Sequence, residues 1–266
     1  MSGRLVARAF MAAVGVVLAA PVVVLAGVSL NAKKTLVFPP EGLSGAWYAD
    51  ILVDDGWRSA LVASLTVATL SAAVAVGIAL PIAWFIWRRV FPLAELVRGL
   101  GMAPFILPPV ITALGFLSFW ATAGAYGQAF TVLVSHGVFL VALPLVTLSM
   151  GFASIDREIV EAGATMGASD RALLVTVILP LVAPYVVSGY AFAFVLSLNE
   201  YIIAYMTVGF TVETLPIKVF NSLRYGYTPT MAAVAVVFVG IAAAAFGLIA
   251  RFGDLRRLMG ALDGRT

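Results

Sequence analysis

Residues 154–184 read SIDREIVEAGATMGASDRALLVTVILPLVAP, and this stretch decides the fold because charge is scarce elsewhere. Only 11% of the 266 residues are charged and 62% are hydrophobic, against roughly 25% charged in a soluble domain. Within the stretch, residues 156–171 are too polar for a membrane and too long for a tight turn. They form a structured loop between two apolar spans. Ser154, followed by acidic Asp156 and Glu158, marks a helix start. Ile159, Val160 and Ala164 give that helix an apolar face. Gly167 interrupts it, and Ser169 and Asp170 cap a second helix that runs through Ala172, Leu173 and Leu174 into the next span.

Outward from this loop the chain is a series of uncharged intervals. There are 24 uncharged residues between Arg8 and Lys33, 29 between Arg58 and Arg88, 57 from Gly99 to Ile155, 28 from Ala172 to Asn199 and 26 from Tyr225 to Ala250. A helix crosses a bilayer with about 20 residues, so the 57-residue interval holds two spans, with a hairpin bend at Thr122 to Gln128. The stretches are too long for the ~10-residue alternating strands of a membrane barrel. The reading is an all-α membrane protein of six transmembrane helices, forming a single domain over 1–266. The spans fall near 9–30, 60–87, 100–121, 130–152, 173–198 and 229–250, with the loop at 154–173. Tyr201 to Val212 is too short to cross and reads as an interfacial or re-entrant piece. Pro81, Pro104, Pro108, Pro109, Pro144 and Pro184 fall inside spans and kink them. Gly240 and residues 242–245 permit close helix approach in the sixth.

Basic residues orient the chain. With the N-terminus inside, eleven Lys and Arg, among them Arg88, Arg157, Arg171, Arg256 and Arg257, lie in the cytoplasm and five outside. That split places both N- and C-termini in the cytoplasm. Residues 1–30 admit a rival reading as a cleaved signal peptide, but signal cores run only about 7–15 apolar residues. The net charge of +3 sits beside the spans, where topology rather than nucleic acid accounts for it.

Catalytic chemistry is thinly supplied. No Gly-x-x-x-x-Gly-Lys-Ser/Thr run is present, so the chain does not itself hydrolyse ATP. His136 is the single histidine and there is no Cys, which leaves no metal site and no catalytic residues; His136 reads as neutral and hydrogen-bonded across helices. At the end of the fifth span, Tyr190, Ser197, Tyr201 and Tyr205 share one helical face, with Asn199 and Glu200 beside them. A polar aromatic stripe with one carboxylate suits a protonated amine. The same residues also suit an interfacial aromatic belt, with Glu200 at the headgroup level.

The 154–184 stretch carries a resemblance. Glu161, Ala162 and Gly163, then Gly167, then Leu179 and Pro180 are similar to the Glu-Ala-Ala signature of permease subunits of ATP-binding cassette importers. That pattern runs Glu-Ala-Ala, three residues, Gly, nine residues, then Ile, any residue, Leu, Pro. Gly163 departs from the second Ala and Val177 from the Ile. The stretches GMAPFILPPVITALG from Gly101, SLNEYIIAYMTVG from Ser197 and ETLPIKVFNSLRYGYTPT from Glu213 also resemble the spermidine/putrescine branch of these permeases.

The resemblance implies the transmembrane domain of a type I importer in a bacterial inner membrane. It implies a second permease subunit of different sequence, two cytoplasmic ATPase subunits carrying ATP and Mg, and an extracytoplasmic substrate-binding protein. This chain itself holds no cofactor. Glu161, Ala162, Gly163, Gly167, Leu179 and Pro180 would couple it to the ATPase. Ser197, Asn199, Glu200, Tyr201 and Tyr205 would border the path of a polyamine or related amine. The alternatives are a secondary transporter or a membrane-embedded enzyme. Neither an inverted repeat with intramembrane charges nor a cluster of His or acidic ligands is evident in the sequence.

Overall fold

The computed structural model describes residues 2–88, 93–224, 226 and 228–252, and they are nearly all helical. Arg256, Arg257 and Arg265 of the charge count lie outside the described residues, as does Arg89. The helices are α1 (Ser2–Ser29), α2 (Ala46–Val53), α3 (Asp55–Arg88), α4 (Ala94–Ile106), α5 (Pro109–Thr122), α6 (Ala129–Phe139), α7 (Ala142–Ala153), α8 (Arg157–Thr165), α9 (Asp170–Leu173), α10 (Leu179–Asn199), α11 (Ile202–Val208), α12 (Leu215–Ser222) and α13 (Pro229–Phe252). A π-helical turn, Leu174–Ile178, joins α9 to α10. Among the described residues four helical stretches are long and apolar enough to cross a membrane: Gly3–Ser29, Asp55–Arg88, Asp170–Asn199 and Pro229–Gly247. Two bent pairs, α4 with α5 and α6 with α7, raise the number to six if each is one span.

Proline chemistry explains the bends. The third span, expected as one helix over 100–121, is instead broken at residues 107–108 with a bend of 108°. Pro108 has no N–H for the carbonyl of Pro104, and the Thr112 hydroxyl donates to that carbonyl instead, at 3.1 Å. The fourth bends by 44° between α6 and α7. There Pro144 cannot reach the carbonyl of Leu140, which accepts from Leu143 N in a tighter turn at 3.2 Å.

Backbone contacts divide the chain into two compact units, Met1–Val62 with Thr214–Ile241 and Ala63–Glu213 with Ala242–Thr266. In the first, the most apolar window of α1 holds no buried residue, as befits a helix in lipid. Ile51, Ala60, Leu215, Ala233 and Val234 form the buried core of this unit. Asn31 closes the loop after α1: its side-chain oxygen accepts from Lys33 N and Glu41 N, and its carbonyl accepts from Trp47 Nε1 at 2.6 Å. A Cβ at Gly240 would meet nothing within 4 Å, so Gly240 serves no close approach among the described residues.

In the second unit α7 packs along α10. A Cβ on Gly189 would lie 2.7 Å from Pro144 Cα, and one on Gly151 2.7 Å from the Tyr185 ring, so hydrogen at both positions lets the two backbones cross closely. One layer of the core gathers Ala79, Ala83, Leu145, Leu148, Phe152, Ile178 and Val182 and extends to Val160 of α8 and Leu173 of α9. A second layer, with Ala72, Ala75, Ala113, Leu140 and Ala193, includes Ile203 of α11.

Candidate functional site

Residues 156–173 fold into two short helices, each opened by a side-chain cap, and the second runs on into α10. The first starts at Asp156, not Ser154: the Asp156 carboxylate accepts from Glu158 N at 3.0 Å, while the Ser154 hydroxyl turns back to the Gly151 carbonyl at 2.8 Å and closes α7. At the other end Gly167 has φ +87°. Gly167 N donates to the Ala164 carbonyl and Ala168 N to the Gly163 carbonyl, the paired bonds of a Schellman motif that needs a residue with positive φ. Ser169 then caps α9 by accepting from Ala172 N at 3.2 Å.

Packing ties this helix pair to the spans. Val160 turns inward and is 7% exposed. Gly163 leaves space for Leu173, whose Cδ2 would stand 2.5 Å from a Cβ there; the departure from the Glu-Ala-Ala pattern therefore has a packing role. The apolar face expected at Ile159, Val160 and Ala164 is split, because Ile159 and Ala164 are exposed. A second stripe faces out, with Ile159, Ala162 and Met166 at helical spacing and Met166 87% exposed. Beside it, Trp87, Arg88, Arg157, Val160 and Glu161 line a pocket of about 160 Å³. Glu161 itself is exposed. Leu179 begins α10 and Pro180 occupies its first turn, directly after the π-helical turn. Pro180 supplies no N–H to the carbonyl of Thr176, which fits the local widening.

The second constellation lies at the end of α10. The tyrosine stripe is not continuous, because Glu200 leaves the helix with φ −76°, ψ 122°, Tyr201 is the N-cap of the separate α11 and Tyr205 lies within it. Tyr201 and Tyr205 stack, with centroids 5.6 Å apart at 26°. Tyr190 instead donates from its hydroxyl to the Thr69 carbonyl at 3.2 Å. Ser197 is buried and faces His136, with Oγ to Nδ1 2.8 Å. Asn199 is exposed, and its side-chain amide donates to the Val195 carbonyl at 2.8 Å.

Glu200 is withdrawn rather than open. Its carboxylate accepts from Ile202 N at 2.9 Å, from Ile203 N at 3.0 and 2.9 Å, and from Ala204 N at 3.1 Å. His136 Nε2 stands 3.1 Å from Glu200 Oε2, off the line of an aligned hydrogen bond. His136 bonds across helices through Nδ1 and the Ser197 hydroxyl, as the sequence suggested. Around it Trp120 Nε1 donates to Ser135 Oγ at 2.8 Å. Among the described residues no three His, Cys, Asp or Glu side chains group as metal ligands.

Residues 74–257 match the family described as binding-protein-dependent transport system inner membrane component. The chain belongs to this family. The permease is 35% identical over 230 residues to the putrescine transport system permease protein PotI of Escherichia coli K12, covering 83% of this chain and 81% of the relative. It is 28% identical to the spermidine/putrescine transport system permease protein PotC of the same strain, over 239 residues and 90% of each chain. Its fold is similar to that of a chain in a bacterial ABC transporter involved in the import of the acidic polysaccharide alginate, with a TM-score of 0.70, 14% identity and coverage of 94% of this chain and 95% of that one. The permease is thus a transport subunit rather than an enzyme. Sequence reading singled out Ser197 and Glu200 but did not join them to His136. The signal was available in Glu200, an acidic residue two positions before the first residue of a short apolar helix.

Proposed function

We propose that this permease forms half of the translocation pathway of an ATP-driven importer for polyamines or related small amines. The outward stripe of Ile159, Ala162 and Met166 carries the reading: it sits on a capped helix pair that is packed through Val160 and Leu173 into the spans. A rigid element of this kind transmits the closure of a bound ATPase as a body movement. Glu161, Ala162, Gly163, Gly167, Leu179 and Pro180 form the coupling unit, and Arg157 in the adjoining pocket offers charge to the partner, while Arg88 there is held by Asp170. ATP and Mg²⁺ bind the two cytoplasmic ATPase subunits. A second permease of different sequence completes the pathway, and an extracytoplasmic binding protein delivers the solute. Both termini lie in the cytoplasm of a bacterium whose inner membrane holds the assembly, an orientation supported by the basic residues.

Ser197, Asn199, Glu200, Tyr201 and Tyr205 border the substrate path. The stacked Tyr201 and Tyr205 offer ring faces to an ammonium group, an attraction of about 0.5–2 kcal/mol depending on desolvation. The similarity to putrescine and spermidine/putrescine permeases supports this solute class. The test is purification of the tagged chain from its native membrane in mild detergent. Co-elution of an ATP-hydrolysing subunit and a second permease is expected. Elution of the chain alone, with solute uptake intact in the membranes it came from, would overturn the reading.

A further inference from the structure

We propose that His136 and Glu200 form a buried pin that positions α11, so that the Glu200 charge serves the transport path through α11 and not as the contact for a cationic solute. The inference rests on the permease reading above and concerns how its path is held in shape.

The accounting of donors leads to it. α11 has seven residues, too few to hold itself as a helix. Its first amides with no partner inside the helix are those of Ile202, Ile203 and Ala204, and one carboxylate accepts from all three. A carboxylate offers about four acceptor sites; the three amides make four contacts with its two oxygens, His136 Nε2 stands 3.1 Å from Oε2, and the Glu200 side chain is only 10% exposed. No acceptor direction is left for an ammonium group.

His136 extends the hold to neighbouring helices. It is fully buried on α6, and its two ring nitrogens reach Ser197 of α10 and Glu200. The far end of α11 is held as well: the Thr207 carbonyl accepts from Gly127 N at 3.1 Å and from Thr131 Oγ1 at 3.2 Å. A short helix fixed at both ends presents its remaining face, with Tyr201 and Tyr205, in one register. Loosening the Glu200 end would free that register while leaving the Thr207 end attached.

The experiment has two arms. In the first, hydrogen exchange followed by mass spectrometry is measured on the detergent-solubilised transporter for His136→Gln, Glu200→Gln and the double variant. Exchange is expected to quicken in peptides covering 200–208 and to stay at the wild-type rate in α7 and α10. In the second, uptake of radiolabelled putrescine into proteoliposomes is measured. His136→Gln should raise KM roughly 3- to 10-fold, the range of one lost hydrogen bond, with Vmax retained. The double variant should match Glu200→Gln within about twofold, because partners in one interaction do not add.

Glu200→Gln that raises KM while exchange in 200–208 stays at the wild-type rate would overturn the pin in favour of direct contact. So would wild-type behaviour of His136→Gln in both arms, or exchange that quickens equally across α7 and α10. If the wild-type transporter takes up no putrescine, the solute reading fails and the exchange arm alone decides the pin.

Discussion

The Arg88 guanidinium donates to the Asp170 carboxylate at 2.6 Å, joining the last turn of α3 to the first turn of α9 across 82 positions of sequence. Arg88 also lies over the Trp84 ring, 5.6 Å from its centroid. The Asp170 side chain is 75% exposed, so water screens the pair and its contribution to stability is under about 1 kcal/mol. Its effect is directional: it fixes where the loop helices sit against the end of a span. Asp170→Asn is expected to leave thermal stability nearly unchanged and to reduce ATPase stimulation by the solute-loaded binding protein. Melting and ATPase assays on the same preparation check both.

Gly167 tests the bend between α8 and α9. Its φ is +87° and a Cβ there meets nothing within 4 Å, so the cost of a side chain is conformational and not steric crowding. Gly167→Val should destabilise the helix pair by about 1–2 kcal/mol, and Gly167→Asn by less, because Asn tolerates the left-handed region. Stimulated ATPase activity should follow the order Gly, Asn, Val.

Gly189 tests the crossing of α7 and α10. Gly189→Val puts a branched side chain against the Pro144 backbone, and overpacking of this kind costs about 1–3 kcal/mol. Gly240→Val is the control, since nothing lies within 4 Å of its Cβ position. Thermal unfolding in detergent should fall for the first variant and hold for the second.

Orientation is open to a clean labelling test because the chain has no native cysteine. Leu43 is 77% exposed in the loop after α1 and Met166 is 87% exposed beside Gly167. On intact spheroplasts, a membrane-impermeant thiol reagent should label Leu43→Cys and spare Met166→Cys. The opposite pattern would invert the topology and remove Met166 from the side where ATP is available.

The apolar intervals and the charge-poor composition were enough to read an all-helical membrane fold, because spanning lengths are set by bilayer thickness and not by tertiary detail. The Gly167 bend and the Ser169 cap were legible for a similar reason: each acts within a few residues. Asp156 was hidden behind Ser154, since both can cap and only tertiary placement sends the Ser154 hydroxyl back to Gly151. The break at Glu200 was legible in the uncharged count, which stops at Asn199, but the helical face drawn from Tyr190 to Tyr205 ran through it, because residue spacing carries no information on ψ at Glu200. The His136 contact joins residues 61 and more positions apart, beyond any periodicity argument. The role of Gly163 could not be read locally either, because its reason is the Leu173 side chain on the next helix.

The most direct measurement is uptake of radiolabelled putrescine into proteoliposomes containing this permease, its partner permease and the ATPase pair, with the binding protein outside and ATP sealed inside or omitted. The account expects saturable accumulation that requires internal ATP, survives dissipation of the proton gradient, and is lost in the Glu161→Ala, Gly167→Val double variant. Accumulation that follows an imposed proton gradient without ATP, and persists in that double variant, would contradict it.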